Sequence, residues 1–338
     1  MPKLKIHIHL QCMLYDTHQR IHNYLRISIT DHCNFRCQYC MPEENMRFLP
    51  AAHHMTVEEI FSLARCFVSL GVNKIRLTGG EPTLRSDFSS ILQALATLPV
   101  QLTLTTNAFL TDRYISDLKA AGIRSLNVSL DTLQADRFKE MTRRDVFYKV
   151  KENIDRLIQE QFHVKLNMVV MRGVNHDEIP AFIEWTRSQP VHIRFIEFMP
   201  FAGNHWNSEG VFIFQEIMDL ISAQYSIIKL NDEAHATTKK YQVKDHAGTF
   251  AFISTMSAPF CSTCNRIRLT ADGKIKNCLF STTETDLLTP YREGQDIIPL
   301  IEQSIRQKKK ALGGQWHEDF HEIKQDTLIN REMIRIGG

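Results

Sequence analysis

Three cysteines close together in the sequence have the clearest potential for chemistry. Cys33, Cys37 and Cys40 have the spacing C-x3-C-x2-C and follow a strand-like segment, Tyr24 to Thr30. Three thiolates on one loop can hold three irons of a four-iron cluster and leave the fourth iron without a protein ligand. Such an iron can bind a small molecule, so the loop predicts chemistry on a bound ligand rather than electron transfer alone.

A structural zinc site is the alternative for this loop. Zinc in structural sites normally takes four ligands in closed tetrahedral geometry. The one further candidate at a suitable spacing is His32, which is adjacent to Cys33 and poorly placed for chelation. The pattern therefore favours a cluster. With Tyr39 one position before the last cysteine, it resembles the radical S-adenosylmethionine (SAM) superfamily.

A second group of three cysteines has no fourth partner at the spacing of a closed site either. These are Cys261, Cys264 and Cys278, and a zinc knuckle with a remote fourth ligand is the alternative. Between the thiols, Arg266 and Arg268 alternate on one face of a predicted strand. Two guanidinium groups there can hold phosphate in a forked arrangement. A strand face could equally be a solvated sheet edge, and an isolated pair would favour that alternative.

The composition is typical of a soluble globular protein. The chain has 338 residues and a formal net charge of +2, which argues against a general nucleic-acid-binding surface. No run of about 18 apolar residues occurs, so we predict no membrane span. Residues 1–13 lack the pattern of a secretion signal. We expect a cytoplasmic protein, in which clustered thiols bind metal rather than form disulfides.

Strand-like segments alternate with helical patterns over the first 200 residues. The predicted strands are 24–30, 74–78, 101–105, 124–129, 163–170 and 191–197, and the predicted helices are 56–70, 87–97, 111–121, 148–161 and 176–188. Six βα units predict a parallel sheet with right-handed crossovers. We expect an α/β protein with an N-terminal extension (1–20), a partial (βα)6 TIM-type barrel (21–205) and a C-terminal α+β region (206–338) that carries the second cluster.

The polar motifs fall where such a barrel places its chemistry, at the carboxyl ends of the strands. The cysteine loop follows the first predicted strand, and further motifs follow the others. In chain order these are Gly79-Gly80-Glu81-Pro82, Thr105-Thr106-Asn107, Ser129-Leu130-Asp131, Lys165 within the fifth strand, and Arg194, Glu197 and Met199. A Gly-Gly pair alone could be only a tight turn, but six segments on one rim indicate a shared site.

Together these motifs resemble the GTP 3′,8-cyclase family within the radical SAM superfamily. The resemblance is carried by Leu25-Arg26-Ile27-Ser28, Thr30-Asp31, Leu77-Thr78-Gly79-Gly80-Glu81-Pro82, the second cysteine triad with its Arg-x-Arg, and Gly337-Gly338. It extends from about Asp16 to the last residue. Two positions depart from the family pattern: His32 stands where an arginine is customary, and Ala108 where a glycine is customary.

The resemblance implies a lyase that acts on GTP in molybdenum-cofactor biosynthesis. One [4Fe-4S] cluster would cleave SAM to a 5′-deoxyadenosyl radical, which removes the 3′ hydrogen of GTP. Attack of the sugar radical on C8 of guanine would give (8S)-3′,8-cyclo-7,8-dihydroguanosine 5′-triphosphate. A second [4Fe-4S] cluster would present its vacant iron to the guanine base.

The resemblance also implies roles for individual residues. The first cluster would be held by Cys33, Cys37 and Cys40, and the second by Cys261, Cys264 and Cys278. The implied SAM contacts are Tyr39, Gly80, Ser129 and Met199. The implied GTP contacts are Arg26, Arg76, Thr105, Lys165, Arg194, Arg266 and Arg268. The implied catalytic residues are the three cysteines of the first triad together with Arg266 and Arg268. Gly337-Gly338 would reach toward the active site, where side chains do not fit.

The implied partners are a flavodoxin or ferredoxin as electron donor and, acting on the product, cyclic pyranopterin monophosphate synthase. The family resemblance also implies a homodimer. Two alternatives remain. One is a different radical SAM enzyme with an auxiliary cluster, such as a peptide-modifying maturase, which typically carries more C-terminal cysteines. The other is a zinc-stabilised binding protein without catalysis.

One further motif is an unconvincing match. His317-Glu318-Asp319-Phe320-His321 fits the H-E-x-x-H pattern of zinc hydrolases. No third ligand follows it in a convincing context, and a chance match is easy in a chain with 15 histidines. We therefore predict no zinc role. The preceding Lys308-Lys309-Lys310 run is typical of a solvated helix face.

Overall fold

A computed structural model of the chain describes residues 13–41, 46–233, 235–316, 319–323 and 329–337. Gly338 and the first two residues of the H-E-x-x-H match lie outside the described residues. Within the described ranges, none of the helices has the length and apolar character needed to cross a membrane.

Twelve strands of the described chain form one sheet. They are β1 (Tyr24–Ser28), β2 (Lys74–Thr78), β3 (Gln101–Thr106), β4 (Ser125–Ser129), β5 (His163–Val170), β6 (His192–Glu197), β7 (Ile227–Lys229), β8 (Lys239–Val243), β9 (Thr249–Ile253), β10 (Arg266–Leu269), β11 (Lys274–Lys276) and β12 (Thr285–Asp286). Strands β1 to β6 pair in parallel and in chain order. The predicted α/β fold with six parallel strands is therefore confirmed.

Ten α-helices accompany these strands in the described part of the chain. They are α1 (Val57–Ser69), α2 (Phe88–Ala96), α3 (Ile115–Ala120), α4 (Ala135–Thr142), α5 (Phe147–Gln159), α6 (Ile179–Trp185), α7 (Phe214–Ser222), α8 (Leu288–Arg292), α9 (Ile298–Arg306) and α10 (Met333–Ile336). Thr56 begins α1 with a capping box, in which its hydroxyl accepts the Glu59 N–H at 3.2 Å. Helix α4 was not predicted. It lies with α5 in the connection between β4 and β5, for which the sequence pattern predicted one helix, 148–161.

Strands from the C-terminal region extend the parallel sheet at both edges. Strand β10 pairs in parallel with β1, and β9 pairs in parallel with β6. Antiparallel strands complete each edge, with β11 and β12 beyond β10 and β8 and β7 beyond β9. The predicted division near residue 205 remains a prediction, and the sheet is continuous across it.

The alternation of side chains along β1 and β2 separates the core from the site. Leu25, Ile27, Ile75 and Leu77 are fully buried in the main hydrophobic core. The intervening residues point to the opposite face of the sheet, because successive side chains alternate along a strand. That face carries polar side chains, so packing the core places them toward the interior of the partial barrel.

Candidate active site

The first cysteine triad lines a cavity of about 180 Å³ at the carboxyl ends of the first strands. We call this the first cavity, defined by Cys33, Cys37 and Cys40. All three cysteines are free thiols. The predicted SAM contacts all line the same cavity, namely Tyr39, Gly80, Ser129 and Met199. Thr105, predicted among the GTP contacts, also lines this cavity.

Gly79 and Gly80 allow the loop after β2 to lie directly on the backbone that leads into the cysteine loop. A Cβ on Gly80 would lie 2.2 Å from the carbonyl oxygen of His32, and one on Gly79 would lie 2.4 Å from that of Thr30. The Gly80 N–H donates to the Thr30 carbonyl at 2.7 Å, and the Glu81 N–H donates to the His32 carbonyl at 2.7 Å. The glycines are therefore required for packing against the cysteine loop, in addition to any contact with a ligand.

The Glu81 carboxylate fixes this loop to the end of β3. It is 1% exposed and accepts hydrogen bonds from the hydroxyls of Thr83 at 2.6 Å and Thr106 at 2.7 Å. It also accepts from the Asn107 N–H at 2.6 Å. The Asn107 side chain in turn donates to Asn34 Oδ1 in the cysteine loop at 2.8 Å. A buried carboxylate satisfied in this way holds three motif segments in one arrangement.

Asp131 positions the aromatic residue of the cysteine motif. The Tyr39 hydroxyl donates to Asp131 Oδ2 at 2.8 Å, and the Val169 N–H donates to Oδ1 at 2.8 Å. Burial raises the pKa of the Asp131 carboxyl to about 6, against the effect of these hydrogen bonds. Asp131 was not among the predicted site residues, although it belongs to the Ser-Leu-Asp motif at the end of β4.

The surroundings of the first triad suit a metal cluster. Burial raises the pKa of the Cys33 thiol to about 12 and holds those of Cys37 and Cys40 well above their usual range. Such thiols ionise when a bound metal replaces their protons. Three sulfur donors are the ligands that iron–sulfur clusters take from proteins. The residues therefore fit an iron–sulfur cluster.

The second triad lines a separate cavity of about 320 Å³, which we call the second cavity. Six of the predicted GTP contacts line it together with Cys261, Cys264 and Cys278. These six are Arg26, Arg76, Lys165, Arg194, Arg266 and Arg268. The side chains of Ile196, Met199, Asn167 and Met333 line both cavities, so the two cavities adjoin.

Strand register brings the arginines of the second cavity together. Arg26 on β1 lies opposite Arg268 on β10 and opposite Arg76 on β2. Burial, followed by the charge of Arg268, lowers the pKa of Arg26 well below its usual range. Burial, followed by the charge of Arg194, lowers the pKa of Lys165 to about 8. The cations therefore destabilise one another in the absence of a counterion.

The second cavity offers few negative groups to balance this charge. Glu233 is the one carboxylate among the lining residues that the structure describes. The Nε and Nη2 atoms of Arg194 are buried and have no hydrogen-bond partner within the described ranges. Buried cations without partners are costly, so this cavity is suited to an anion that carries several charges.

The thiols of the second triad differ from those of the first. Burial acts to raise the pKa of Cys264, but the charges of Arg266 and Lys308 outweigh it and lower that pKa to about 6. Burial raises the pKa of the Cys261 thiol. Cys264 therefore ionises readily, as a metal ligand must, and the three sulfur donors again fit an iron–sulfur cluster.

Tyr24 is a residue of the second cavity that was not predicted. Its hydroxyl accepts a hydrogen bond from Arg76 Nε. Burial acts to raise the pKa of the phenol, but the charges of Arg76 and Arg26 lower it to about 7. The sequence does contain one signal for Tyr24: it lies two residues before Arg26, so both side chains are on the same face of β1.

Gly337 lies inside the barrel, where the family resemblance implied. Its carbonyl oxygen accepts a hydrogen bond from Arg268 Nη1. Its φ is +82°, and a Cβ would lie 2.4 Å from Thr78 Oγ1 and 3.0 Å from Ser28 Cβ. A glycine is required here both by the backbone conformation and by the space.

The two departures from the family pattern have local effects. The exposed His32 ring stacks on Phe48 with centroids 4.7 Å apart, and its Nε2 lies 3.7 Å from Asp31 Oδ1. Ala108 is buried with φ of 62°, a conformation that favours glycine.

The fold and the thiol-lined first cavity define a class of protein, and comparisons with known families and solved structures identify it. A model of the radical SAM superfamily matches residues 27–186, and one described as Molybdenum Cofactor Synthesis C matches residues 191–313. The solved structure of Streptococcus suis SuiB bound to S-adenosylmethionine superposes with a TM-score of 0.63 at 14% identity, over 86% of this chain and 70% of that one. The chain is a radical SAM protein.

Within that superfamily, the chain belongs to the GTP 3′,8-cyclase family. It is 43% identical to the mitochondrial GTP 3′,8-cyclase of Arabidopsis thaliana, over 96% of this chain and 84% of that protein. It is 41% identical to the GTP 3′,8-cyclase of Pelotomaculum thermopropionicum, over 96% of this chain and 100% of that protein. Molybdenum cofactor biosynthesis protein 1 of Homo sapiens is 42% identical over 96% of this chain, which spans 51% of that longer protein.

Proposed function

We propose that this protein is a GTP 3′,8-cyclase, which converts GTP to (8S)-3′,8-cyclo-7,8-dihydroguanosine 5′-triphosphate in molybdenum-cofactor biosynthesis. One observation carries the proposal. Two adjoining cavities are each lined by three free thiols, but among the residues that the structure describes, arginine and lysine side chains line the second and not the first. One cavity is thus suited to SAM and the other to a nucleoside triphosphate.

The first triad would hold a [4Fe-4S] cluster, and Tyr39, Gly80, Ser129 and Met199 would contact SAM. When bound, this cluster supplies the electron that cleaves SAM to a 5′-deoxyadenosyl radical. The chain's own contribution is placement. Asp131 holds the Tyr39 ring, and the Glu81 network holds the loop that carries Gly80.

The second triad would hold a second [4Fe-4S] cluster beside the guanine base. The six predicted GTP contacts that line the second cavity would bind the triphosphate, whose negative charges would balance their positive ones. Thr105 lines the first cavity, and its hydroxyl accepts a hydrogen bond at 3.5 Å from Nη1 of Arg76, which lines the second. Its proposed place is therefore between SAM and GTP.

Apolar side chains where the two cavities adjoin would keep water away from the radical. Ile196, Met199 and Met333 line both cavities and present mainly apolar surface. A primary carbon radical abstracts hydrogen from many groups, so excluding water and placing the 3′ carbon of GTP next to the radical centre are the protein's tasks.

The decisive experiment is anaerobic incubation with GTP, SAM and a strong one-electron reductant, followed by mass spectrometry. The hydrogen atom removed from C3′ is replaced by one proton and one electron, so the product has the mass of GTP. We expect this isomer together with 5′-deoxyadenosine, and deuterium from 3′-deuterated GTP in the 5′-deoxyadenosine. Formation of 5′-deoxyadenosine without deuterium or a GTP isomer would contradict the proposal.

The remaining expectations stay predictions. They are a flavodoxin or ferredoxin as electron donor, a homodimer, uptake of the product by cyclic pyranopterin monophosphate synthase, and a cytoplasmic location.

A further inference from the structure

The sequence pattern predicted a solvated helix face for the lysine run at 308–310, but the structure shows a different arrangement. Helix α9 ends at Arg306, before the run begins. Lys309 and Lys310 are exposed, but Lys308 is only 3% exposed. The prediction of a solvated face was wrong for Lys308, because a run of like charges does not indicate which of its residues is buried.

Lys308 contacts the second triad directly. Its Nζ lies 3.6 Å from Cys264 Sγ, 2.9 Å from the carbonyl oxygen of Arg266 and 3.4 Å from His22 Nδ1. An ammonium group has three N–H donors, and these three acceptors use all of them. The cation is therefore held in one orientation, with one proton directed at a predicted metal ligand.

A buried hydrogen-bond network of Asp16, Arg20 and His22 holds Lys308 in place. His22 Nε2 lies 3.0 Å from Asp16 Oδ2, so a proton on Nε2 leaves Nδ1 free to accept from Lys308. Asp16 also pairs with Arg20 at 2.6 Å. Arg20 Nη1 donates to the carbonyl oxygens of Cys261 at 2.7 Å and Lys310 at 2.8 Å. The same network thus fixes both the cysteine loop and the segment that carries Lys308.

We propose that Lys308 is a positioning residue of the second triad, which holds Cys264 and stabilises the reduced form of a [4Fe-4S] cluster bound there. This inference rests on the proposed function, because it requires a cluster at the second triad. Reduction adds one electron, and hence one negative charge, to the cluster. A buried cation hydrogen-bonded to a ligand sulfur favours that state and raises the reduction potential.

The test uses the full-length chain with Cys33, Cys37 and Cys40 replaced by alanine, so that the second triad alone binds a cluster. Iron and sulfide are measured first. The cluster is then titrated with dithionite in the presence of mediators and followed by electron paramagnetic resonance. Lys308→Met is compared with Lys310→Met, which removes an exposed lysine of the same run.

We expect Lys308→Met to lower the ratio of reduced to oxidised cluster about tenfold at the midpoint potential of the parent, a shift of about 59 mV for one electron. Lys310→Met should leave the ratio unchanged, and Lys308→Arg should restore most of it because it keeps the charge. If circular dichroism shows that Lys308→Met does not fold, Lys308→Gln replaces it, with an N–H donor but no charge, and the same direction of shift is expected.

The contrary outcomes are distinct. A parent chain without iron would overturn the second cluster and, with it, the role of Lys308. A Lys308→Met chain with a full complement of iron and an unchanged ratio would overturn only the role of Lys308.

Discussion

At the scale of single residues, Arg266 and Arg268 have different surroundings although they lie two positions apart on β10. The Arg266 guanidinium lies over the Phe260 ring at 4.8 Å and contributes to the low pKa of Cys264. Arg268 is buried, lies opposite Arg26 and donates to Gly337. One arginine therefore acts mainly on the second triad, and the other connects the sheet to the segment around Gly337.

Replacing both arginines with alanine should abolish GTP conversion but leave reductive SAM cleavage measurable. Charge-assisted hydrogen bonds contribute about 1.5–3 kcal/mol each, so GTP affinity should fall more than about 100-fold. The measurements are GTP binding and the yields of 5′-deoxyadenosine and product. Arg292→Ala, which removes an exposed arginine paired with Glu59, is the control. Loss of SAM cleavage with GTP binding intact would refute the assignment of these two arginines to GTP binding rather than to SAM cleavage.

Asp272 provides a prediction about pH. Burial acts to raise its pKa, but hydrogen bonds from Arg331 and Thr270 lower it to about 2. A lowered pKa stabilises the folded state above the unfolded value of about 4, and this stabilisation is lost as the pH falls toward 2. Asp272→Asn should therefore reduce the free energy of unfolding by up to about 2 kcal/mol at pH 6 and much less near pH 2. Urea unfolding at several pH values measures the difference, and an effect independent of pH would exclude this origin.

The sequence patterns pick out many of the residues that line the two cavities, but not the residues that hold them in place. Cysteine spacing, Gly-Gly and Arg-x-Arg are local patterns, and the structure places these residues in two adjoining cavities. The supports depend on contacts between distant positions. Tyr39 meets Asp131 and Lys308 meets Cys264 only after folding. A single sequence has no local signal for such pairs.

At the scale of elements, the parallel attachment of β10 to β1 builds the second cavity. The pairing of Tyr24 with Arg266 joins residues from opposite ends of the chain. The six βα units were predictable because each has its own periodic pattern. The alternation of Arg266 and Arg268 also predicted a strand at β10, but it gave no sign that this strand pairs with β1. The core face of β1 fixes the register, since a slip by one residue would turn Arg26 toward the hydrophobic core.

Gly337 and Gly294 make a matched pair for testing the segment around Gly337. Both have positive φ, +82° and +77°, but a Cβ at Gly294 would meet nothing within 4 Å. Gly294→Ala should cost only about 1–2 kcal/mol of backbone strain and leave activity intact. Gly337→Ala should add a clash with Thr78 and displace the carbonyl that Arg268 contacts.

We therefore expect Gly337→Ala to lose most GTP conversion while it keeps its iron content and SAM cleavage. Product yield, iron analysis and thermal unfolding of both variants test this. Equal loss of activity in the two variants would show that backbone strain, and not the position of Gly337, is responsible.

At the scale of the whole molecule, the two cavities lie side by side, and the proposed function assigns radical formation to the first and GTP binding to the second. They share only a boundary, formed by Ile196, Met199, Asn167 and Met333 among the residues that the structure describes. Each triad belongs to a different part of the sheet, one after β1 and one around β10 and β11. Removing one triad should therefore leave the other able to bind its cluster.

The intact protein, purified without oxygen, should contain about eight iron and eight sulfide ions per chain, from two four-iron clusters. Alanine at Cys261, Cys264 and Cys278 should halve the iron and abolish GTP conversion, but SAM cleavage should continue because the first cavity is intact. Alanine at Cys33, Cys37 and Cys40 should also halve the iron, but it should abolish SAM cleavage as well. Metal analysis and the yield of 5′-deoxyadenosine distinguish the two triads. Zinc in place of iron would contradict the proposed enzyme function and favour a zinc-stabilised binding protein.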